Sequence, residues 1–349
     1  MFGKMRIMRW TDGLADLAAT RLSPSVYQYF RRGASGERTA AEAVDAWDQL
    51  RLRPHMLRNV SAVSTATTVL GTEIRTPILV SPSTLQVMCD PCGEAATATG
   101  VGAAGSLMCV TSNTGVPFAK VGETGTPWWV QAYLLRDRGL CRDMLVRARE
   151  AGARAVVLTA DVPVVGTPPP TEIPDVWGVV PAGSTMANWG SHSPDRADDL
   201  SLDDLGWLRE VSGLPVVLKG VLRGDDARDA VSAGASAIMV SNHGGRQLDG
   251  AVSTAYALPE VANAVSGTDA EVYVDGGIRR GEHVLSALAL GARAVFVGRP
   301  VLYALAVDGA AGVQRLLTDL TAELAHALAL AGSASPADVP GDLVVRPPV

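Results

Sequence analysis

Eight short apolar runs in this chain each hand over to polar or glycine-containing residues, and these are the residues able to do chemistry. They are Ser81-Pro82-Ser83, Thr111-Ser112, Gln131-Ala132-Tyr133, Thr159-Ala160-Asp161, Lys219-Gly220, Ser241-Asn242-His243, Asp275-Gly276-Gly277 and Gly298-Arg299. Polar caps on strand ends are ordinary, but a set that supplies Lys, His, Asp, Gln and Tyr together reads as a site. Two pieces point to an anion. Asp275-Gly276-Gly277 precedes a helix expected to start near Gly281, and Gly298-Arg299 follows the last run. Glycines let backbone N–H groups approach a phosphate, a helix N-terminus adds a favourable dipole, and Arg299 adds a bidentate charged contact. Lys219 has three readings: a Schiff-base amine, a phosphate ligand, or a positive charge beside a reduced flavin whose polar ring edge Gln131, Thr159 and Ser112 would hydrogen-bond. Spacing leaves all three open.

The runs that must position these residues are 77–80, 107–110, 128–130, 155–158, 215–218, 237–240, 272–274 and 294–297. Ala-rich stretches of helical period, such as 94–104, 142–151, 225–233 and 282–290, lie between most of them. Continuously apolar strands separated by helices predict an α/β protein with a parallel sheet covered on both faces. Eight such units favour a closed (β/α)8 TIM barrel over an open doubly wound sheet, and the strand ends then converge on one rim, where barrel active sites form. Residues 1–76 read as a helical N-terminal region carrying Tyr27, Tyr29 and Phe30, residues 77–309 as the barrel, and 310–349 as a final helix (310–331) and tail. Residues 162–214, with Pro168-Pro169-Pro170, read as a long irregular insertion at the rim, a lid or specificity loop. The whole of 1–349 is one domain.

Composition narrows the function. The 349 residues are 47% hydrophobic and 19% charged, which supports a large core rather than a disordered or fibrous chain. Thirty Lys+Arg against 36 Asp+Glu give a net charge of −6; with no long basic run, a phosphate-gripping nucleic-acid role is excluded. No uninterrupted apolar stretch reaches about 18 residues, so no membrane span is expected, and no apolar segment follows the cationic start as a secretory signal requires. Four cysteines make no disulfide scaffold and fit a reducing, cytoplasmic setting. Cys89 and Cys92 form a lone CxxC, read as loop cysteines rather than a redox pair or half a zinc site, and no metal is expected. His192 reads as solvated; His55, His283 and His326 receive no role.

The stretch Ser241-Asn242-His243-Gly244-Gly245-Arg246-Gln247-Leu248-Asp249-Gly250 resembles the signature of the FMN-dependent α-hydroxy acid oxidase/dehydrogenase family, which includes glycolate, lactate and mandelate enzymes. Tyr27-Gln28-Tyr29-Phe30, Gln131-Ala132-Tyr133, Leu158-Thr159-Ala160-Asp161, Leu218-Lys219-Gly220-Val221, Asp275-Gly276-Gly277-Ile278-Arg279-Arg280-Gly281 and Val297-Gly298-Arg299-Pro300 follow in the family's order. The resemblance implies FMN as cofactor, a small 2-hydroxy acid as substrate, and O2 or another electron acceptor. It makes His243 the general base, a role that suits an imidazole with a pKa of about 6.5, oriented by Asp161. Arg246 would hold the substrate carboxylate through its fork of donors, with Tyr29 and Tyr133 hydrogen-bonding the carboxylate or the developing keto oxygen. Lys219 would stabilise the reduced flavin. By the same resemblance, FMN is bound by Pro82, Ser83, Thr84, Thr111, Ser112, Gln131, Thr159, Lys219, Ser241, Asp275, Gly277, Arg279, Gly298 and Arg299. A homo-oligomer, tetramers being common in the family, is expected.

Departures from the family qualify the substrate. Where the family has a turn arginine that assists carboxylate binding, this chain reads Gly166-Thr167-Pro168-Pro169-Pro170, with Pro168 in the arginine's place. A charged hydrogen bond is worth about 1.5–3 kcal/mol, so the expected substrate is bulkier or less anionic than glycolate or lactate, such as an aryl 2-hydroxy acid. Asn113 replaces an aromatic residue, giving a larger and more polar pocket. Thr84 replaces a small residue near the flavin, which would hinder oxygen and favour a dehydrogenase. The family's Asn is also absent around Ala43. The competing readings are a flavin enzyme with another outcome (oxidative decarboxylation, or a modified non-acid substrate) and a flavin-binding protein without catalysis. The latter has no need of both His243 and Arg246.

Overall fold

The computed structural model describes residues 9–189 and 195–345; His192 lies outside them. Eight parallel strands close into a barrel: β1 (Ile78–Val80), β2 (Met108–Thr111), β3 (Trp128–Ala132), β4 (Ala153–Thr159), β5 (Val216–Val221), β6 (Ala237–Val240), β7 (Glu271–Val274) and β8 (Ala294–Val297). Each pairs with the next, and β8 returns to β1 through Val295 and Ile78. Nearly every strand residue is buried, the result of covering both faces of a parallel sheet. Side chains alternate across the pleat. Leu79, Cys109, Trp129, Val157, Val217, Met239, Tyr273 and Phe296 therefore fill the interior, while Ile78, Val80, Val110, Val130 and Val156 pack outward with the helices. The rings of Trp129, Tyr273 and Phe296 stand 5.3–5.8 Å apart, making the barrel a packed core beneath its upper rim.

The lower end is closed by the hairpin Thr67–Val69/Thr72–Ile74, whose Val69 and Ile74 join the interior cluster. Helices Gly93–Ala104, Arg138–Glu150, Gly224–Ser232 and Gly281–Ala289 occupy the expected stretches. Two expectations change. The stretch 162–214 ends in the helix Asp203–Ser212, which buries Leu205 and Leu208 and serves as the crossover between β4 and β5, so the irregular part stops at 202. The final helix is reached through an earlier one that starts at Arg299; non-helical geometry at Asp308 and Gly309 breaks the segment Arg299–Ala331 there. The tail folds back, Val344–Val345 pairing with Arg51–Leu52. No helix among the described residues is long and apolar enough to cross a membrane.

Candidate active site

Parallel register sets the polar residues side by side at the strand C-termini. Thr111 lies opposite Gln131 and Thr159 opposite Lys219. The Thr111 hydroxyl donates to Gln131 Oε1 at 3.0 Å, which fixes the amide and leaves its buried Nε2 without a partner among the described residues. Lys219 is buried, with Nζ donating to Ser241 Oγ at 3.0 Å and lying 3.9 Å from both Asp161 Oδ2 and Asp275 Oδ2. Burial acts to lower its pKa, but the two carboxylates outweigh it and hold it above the usual value. Lys219 is an ammonium ion at neutral pH.

His243 follows β6 in a left-handed backbone conformation (φ 58°), and Gly244 and Gly245 continue it at 64° and 74°. Its amide donates to Ser241 Oγ at 3.1 Å, and Nδ1 lies 3.0 Å from Asp161 Oδ1. Burial raises the Asp161 pKa, yet the charges of Lys219 and His243 and the imidazole hydrogen bond bring it below its ordinary value. A carboxylate only accepts, so Nδ1 carries the proton and Nε2 keeps its lone pair. Burial lowers the His243 pKa, the Lys219 charge adds to this, and Asp161 opposes both; the net lies below 6.5.

The glycines after His243 allow the N-terminal region to approach. A Cβ on Gly245 would stand 2.5 Å from the Ala40 amide nitrogen, and the Gly245 carbonyl accepts from Ala34 N at 2.8 Å. Asp249 accepts from the amides of Gly36 and Thr39, both at 3.0 Å, fastening the same region. Gly245→Ala is therefore expected to lower unfolding free energy by more than about 1 kcal/mol, read from chemical denaturation of the holoenzyme.

Four guanidiniums line the cavity without a carboxylate partner among the described residues: Arg196, from the irregular loop, and Arg246, Arg279 and Arg299. Arg246 gives Nη1 to the carbonyls of Tyr29 (2.7 Å) and Arg32 (3.0 Å). Arg299 donates to those of Phe30, Arg32 and Gly244, and Arg279 to that of Ile278. Burial, then the charges of Arg246 and Arg279, bring the Arg299 pKa down to about 10. Mutual repulsion of this kind is relieved by a bound anion. Gly276 and Gly277 take positive φ beside it, and the Gly276 carbonyl is drawn away by Trp47 Nε1 at 2.8 Å. The expected contribution of the helix near Gly281 is not made. Its first N–H goes to Glu323 Oε2 at 2.9 Å, and the helix N-terminus at the cavity is instead the one beginning at Gly298-Arg299.

One cavity thus gathers Tyr29, Pro82, Ser83, Thr84, Thr111, Gln131, Tyr133, Thr159, Lys219, His243, Arg246, Asp275, Gly277, Arg279, Gly298 and Arg299. Three expected residues do not line it. Asp161 stands behind His243. Ser241 spends its hydroxyl on Lys219 and His243. Ser112 is turned into the core, its amide bonded to the Gln131 carbonyl and its carbonyl to Trp189 Nε1. Asn113 lines the wall as expected, its carbonyl accepting from Thr84 Oγ1 at 2.9 Å, whereas Pro168 is exposed and outside it.

Sequence reasoning missed Trp177, Met186 and Arg196, which reach the cavity from the irregular loop, and His283. His283 Nδ1 accepts from Arg279 N at 3.2 Å and Nε2 lies 2.8 Å from Asp48 Oδ1, so it steadies the backbone of the anion cradle. The four cysteines are free thiols, and no group of metal-ligating side chains occurs among the described residues.

The donors present fit FMN: unpaired guanidiniums for a phosphate, and an orphaned buried donor (Gln131 Nε2) and acceptor (Asp275 Oδ1) for a ring bearing both kinds of polar atom. Comparison with known proteins agrees. The chain belongs to the FMN-dependent dehydrogenase family, whose profile matches residues 18–346, and FMN is its cofactor. It is 42% identical over 347 residues to an L-lactate oxidase of Nostoc sp., covering 93% of this chain and 94% of that one. It is 40% identical over 331 residues to 2-hydroxyacid oxidase 1 of Mus musculus, covering 89% of each. A crystal structure of mandelate oxidase with (S)-2-phenylpropionate superposes with a TM-score of 0.90 at 37% identity, over 97% of this chain and 99% of that one. The protein is an enzyme of the FMN-dependent α-hydroxy acid oxidase group.

Proposed function

We propose that the protein oxidises a bulky, aryl-bearing 2-hydroxy acid to the 2-keto acid, with His243 as the base. The observation that carries this reading is the imidazole held through Nδ1 by Asp161, its Nε2 free, in one cavity wall with Arg246. The substrate hydroxyl gives its proton to Nε2, and Asp161 stabilises the imidazolium that results. Arg246, with Tyr29 and Tyr133, takes the carboxylate. When bound, FMN would supply the acceptor for the Cα hydrogen together with its electron pair, and Lys219 supplies a permanent positive charge beside that site. Support for a bulky substituent comes from the loop: the Trp177 ring meets Tyr29 edge-on at 5.7 Å, with Met186 in the same wall.

The test is anaerobic bleaching of the flavin by a panel of 2-hydroxy acids, with product analysis and reoxidation by air against a quinone dye. Fastest bleaching by an aryl substrate that yields the intact keto acid supports the reading. Glycolate turning over far faster than every bulkier acid overturns the size preference, and loss of CO2 overturns the product. The depressed His243 pKa adds a pH prediction. Base catalysis needs neutral imidazole, so kcat/KM should hold as pH falls through 6.5 and decline only below it. An acid limb centred above 6.5 contradicts the assignment. The same reading extends to a cytoplasmic homo-oligomer; a monomer by light scattering counts against the assembly.

A further inference from the structure

We infer that Arg196, on the loop between β4 and β5, is a specificity-determining residue that pairs with the carboxylate of the incoming 2-hydroxy acid. This rests on the reading above that the substrate is such an acid.

Four observations lead there. The backbone around Arg196 is pinned to the segment that leaves β3: Ala197 N donates to Leu134 O and Arg136 N to Asp195 O, both at 2.9 Å, with Leu135 and Arg196 forming an antiparallel bridge. That segment directly follows Tyr133, and the Arg196 Cζ lies 4.0 Å from the centre of the Tyr133 ring. Stacking of this sort holds a planar guanidinium by its face and leaves the in-plane N–H donors free. Arg196 also shares the cavity wall with His243 and Arg246. Finally, no carboxylate among the described residues pairs with it, because the neighbouring Asp195 and Asp198 are both taken by Arg136.

Of the other cations of the cavity, only Arg246 is assigned to the carboxylate, and part of its donor set is already used. Arg279 and Arg299 lie on the glycine cradle, Lys219 sits between Asp161 and Asp275, and Arg246 gives Nη1 to two backbone carbonyls. The turn Gly166-Thr167-Pro168-Pro169-Pro170 contributes no side chain to the wall. Arg196 is therefore the guanidinium left over: fixed against Tyr133, in the same cavity wall as the base, and without a counter-charge among the described residues. A second cation in the cavity that holds Arg246 would add a charged partner for the carboxylate, and a ligand lacking that charge would gain nothing from it.

The experiment uses the FMN holoenzyme of wild type, Arg196→Gln and Arg196→Lys, with mandelate and its uncharged amide as probes. Flavin reduction gives KM and kcat, and perturbation of the flavin spectrum by benzoylformate gives a Kd without turnover. Loss of one charged hydrogen-bonding partner should raise the mandelate KM and the benzoylformate Kd by about 10–100-fold in Arg196→Gln. The Lys variant should fall in between, kcat should change little, and affinity for the amide should be unaltered. Equal weakening of acid and amide would show a packing role on Tyr133 and overturn the assignment. So would unchanged affinity for the acids. If the wild-type flavin is bleached by no 2-hydroxy acid, the parent reading falls and this one with it; unchanged acid affinity in a wild-type background that does bleach removes Arg196 alone.

Discussion

His243→Asn holoenzyme is expected to bind FMN and 2-hydroxy acid but to reduce its flavin about 10²–10⁴-fold more slowly than wild type, the usual worth of a positioned general base. Asn is chosen for two reasons. It tolerates the left-handed backbone at this position, φ 58°, and its side-chain amide can still donate toward Asp161. The carboxylate is then not abandoned, Lys219 remains 3.9 Å from Asp161 Oδ2, and the loss reports the missing Nε2 lone pair rather than a collapsed site. Anaerobic stopped-flow bleaching measures it. A rate within about threefold of wild type would remove His243 from the base role and return the choice to a flavin-binding protein or to another reaction.

Lys219→Met is expected to lower unfolding free energy by about 3–5 kcal/mol, as removal of one partner from a buried charge cluster does. The ammonium stands 3.9 Å from the carboxylates of both Asp161 and Asp275 and 3.0 Å from Ser241 Oγ. With a methionine there, two buried acids face an apolar chain. The pH dependence identifies the cause. In wild type the Lys219 pKa is raised, so its contribution is full at every pH below the unfolded lysine value and is lost only as pH rises through the folded one. In the variant, burial of Asp161 is no longer offset by Lys219, which pushes its pKa up; that stability cost is present at neutral pH and fades as pH falls and the acid protonates. The difference between the two proteins in urea midpoint should therefore shrink from pH 8 to pH 5. Lys219→Arg keeps the charge and should be far less damaged. A Met variant within about 1 kcal/mol of wild type at pH 8 would mean that the carboxylates find other compensation.

Much of the molecule was legible because the cues are local. A strand buried on both faces must be apolar throughout, so 237–240 and 294–297 were found residue for residue as Ala237–Val240 and Ala294–Val297. The rest of the barrel strands shifted by only a few residues at their ends, where the chain passes from ladder to loop. Helix Asp203–Ser212 escaped because it was folded into the irregular stretch before β5, its apolar positions Leu205 and Leu208 masked by the acidic residues around them. The loop residues Trp177, Met186 and Arg196 carry no periodic signal, and their approach to the cavity depends on what the loop packs against. His283 was invisible for a related reason: its partners, Asp48 and Arg279, come together only in the fold.

Parallel strands of one barrel must all end on the same rim, so a list of strand-terminal residues is already a list of neighbours. That is why Gln131, Thr159, Asp161, Lys219, His243 and Arg299 could be gathered into one site from the order of residues alone. The tertiary structure decided what a list leaves open: which of them face the cavity and which, like Ser241 and Asp161, hold others in place. It also decided which helix end meets the anion, since Glu323 captures the first N–H of Gly281, and that Arg196 of the long loop reaches the cavity over Tyr133. Those outcomes depend on contacts between segments that are 22 to 82 residues apart in sequence, and only packing brings them within reach of one another.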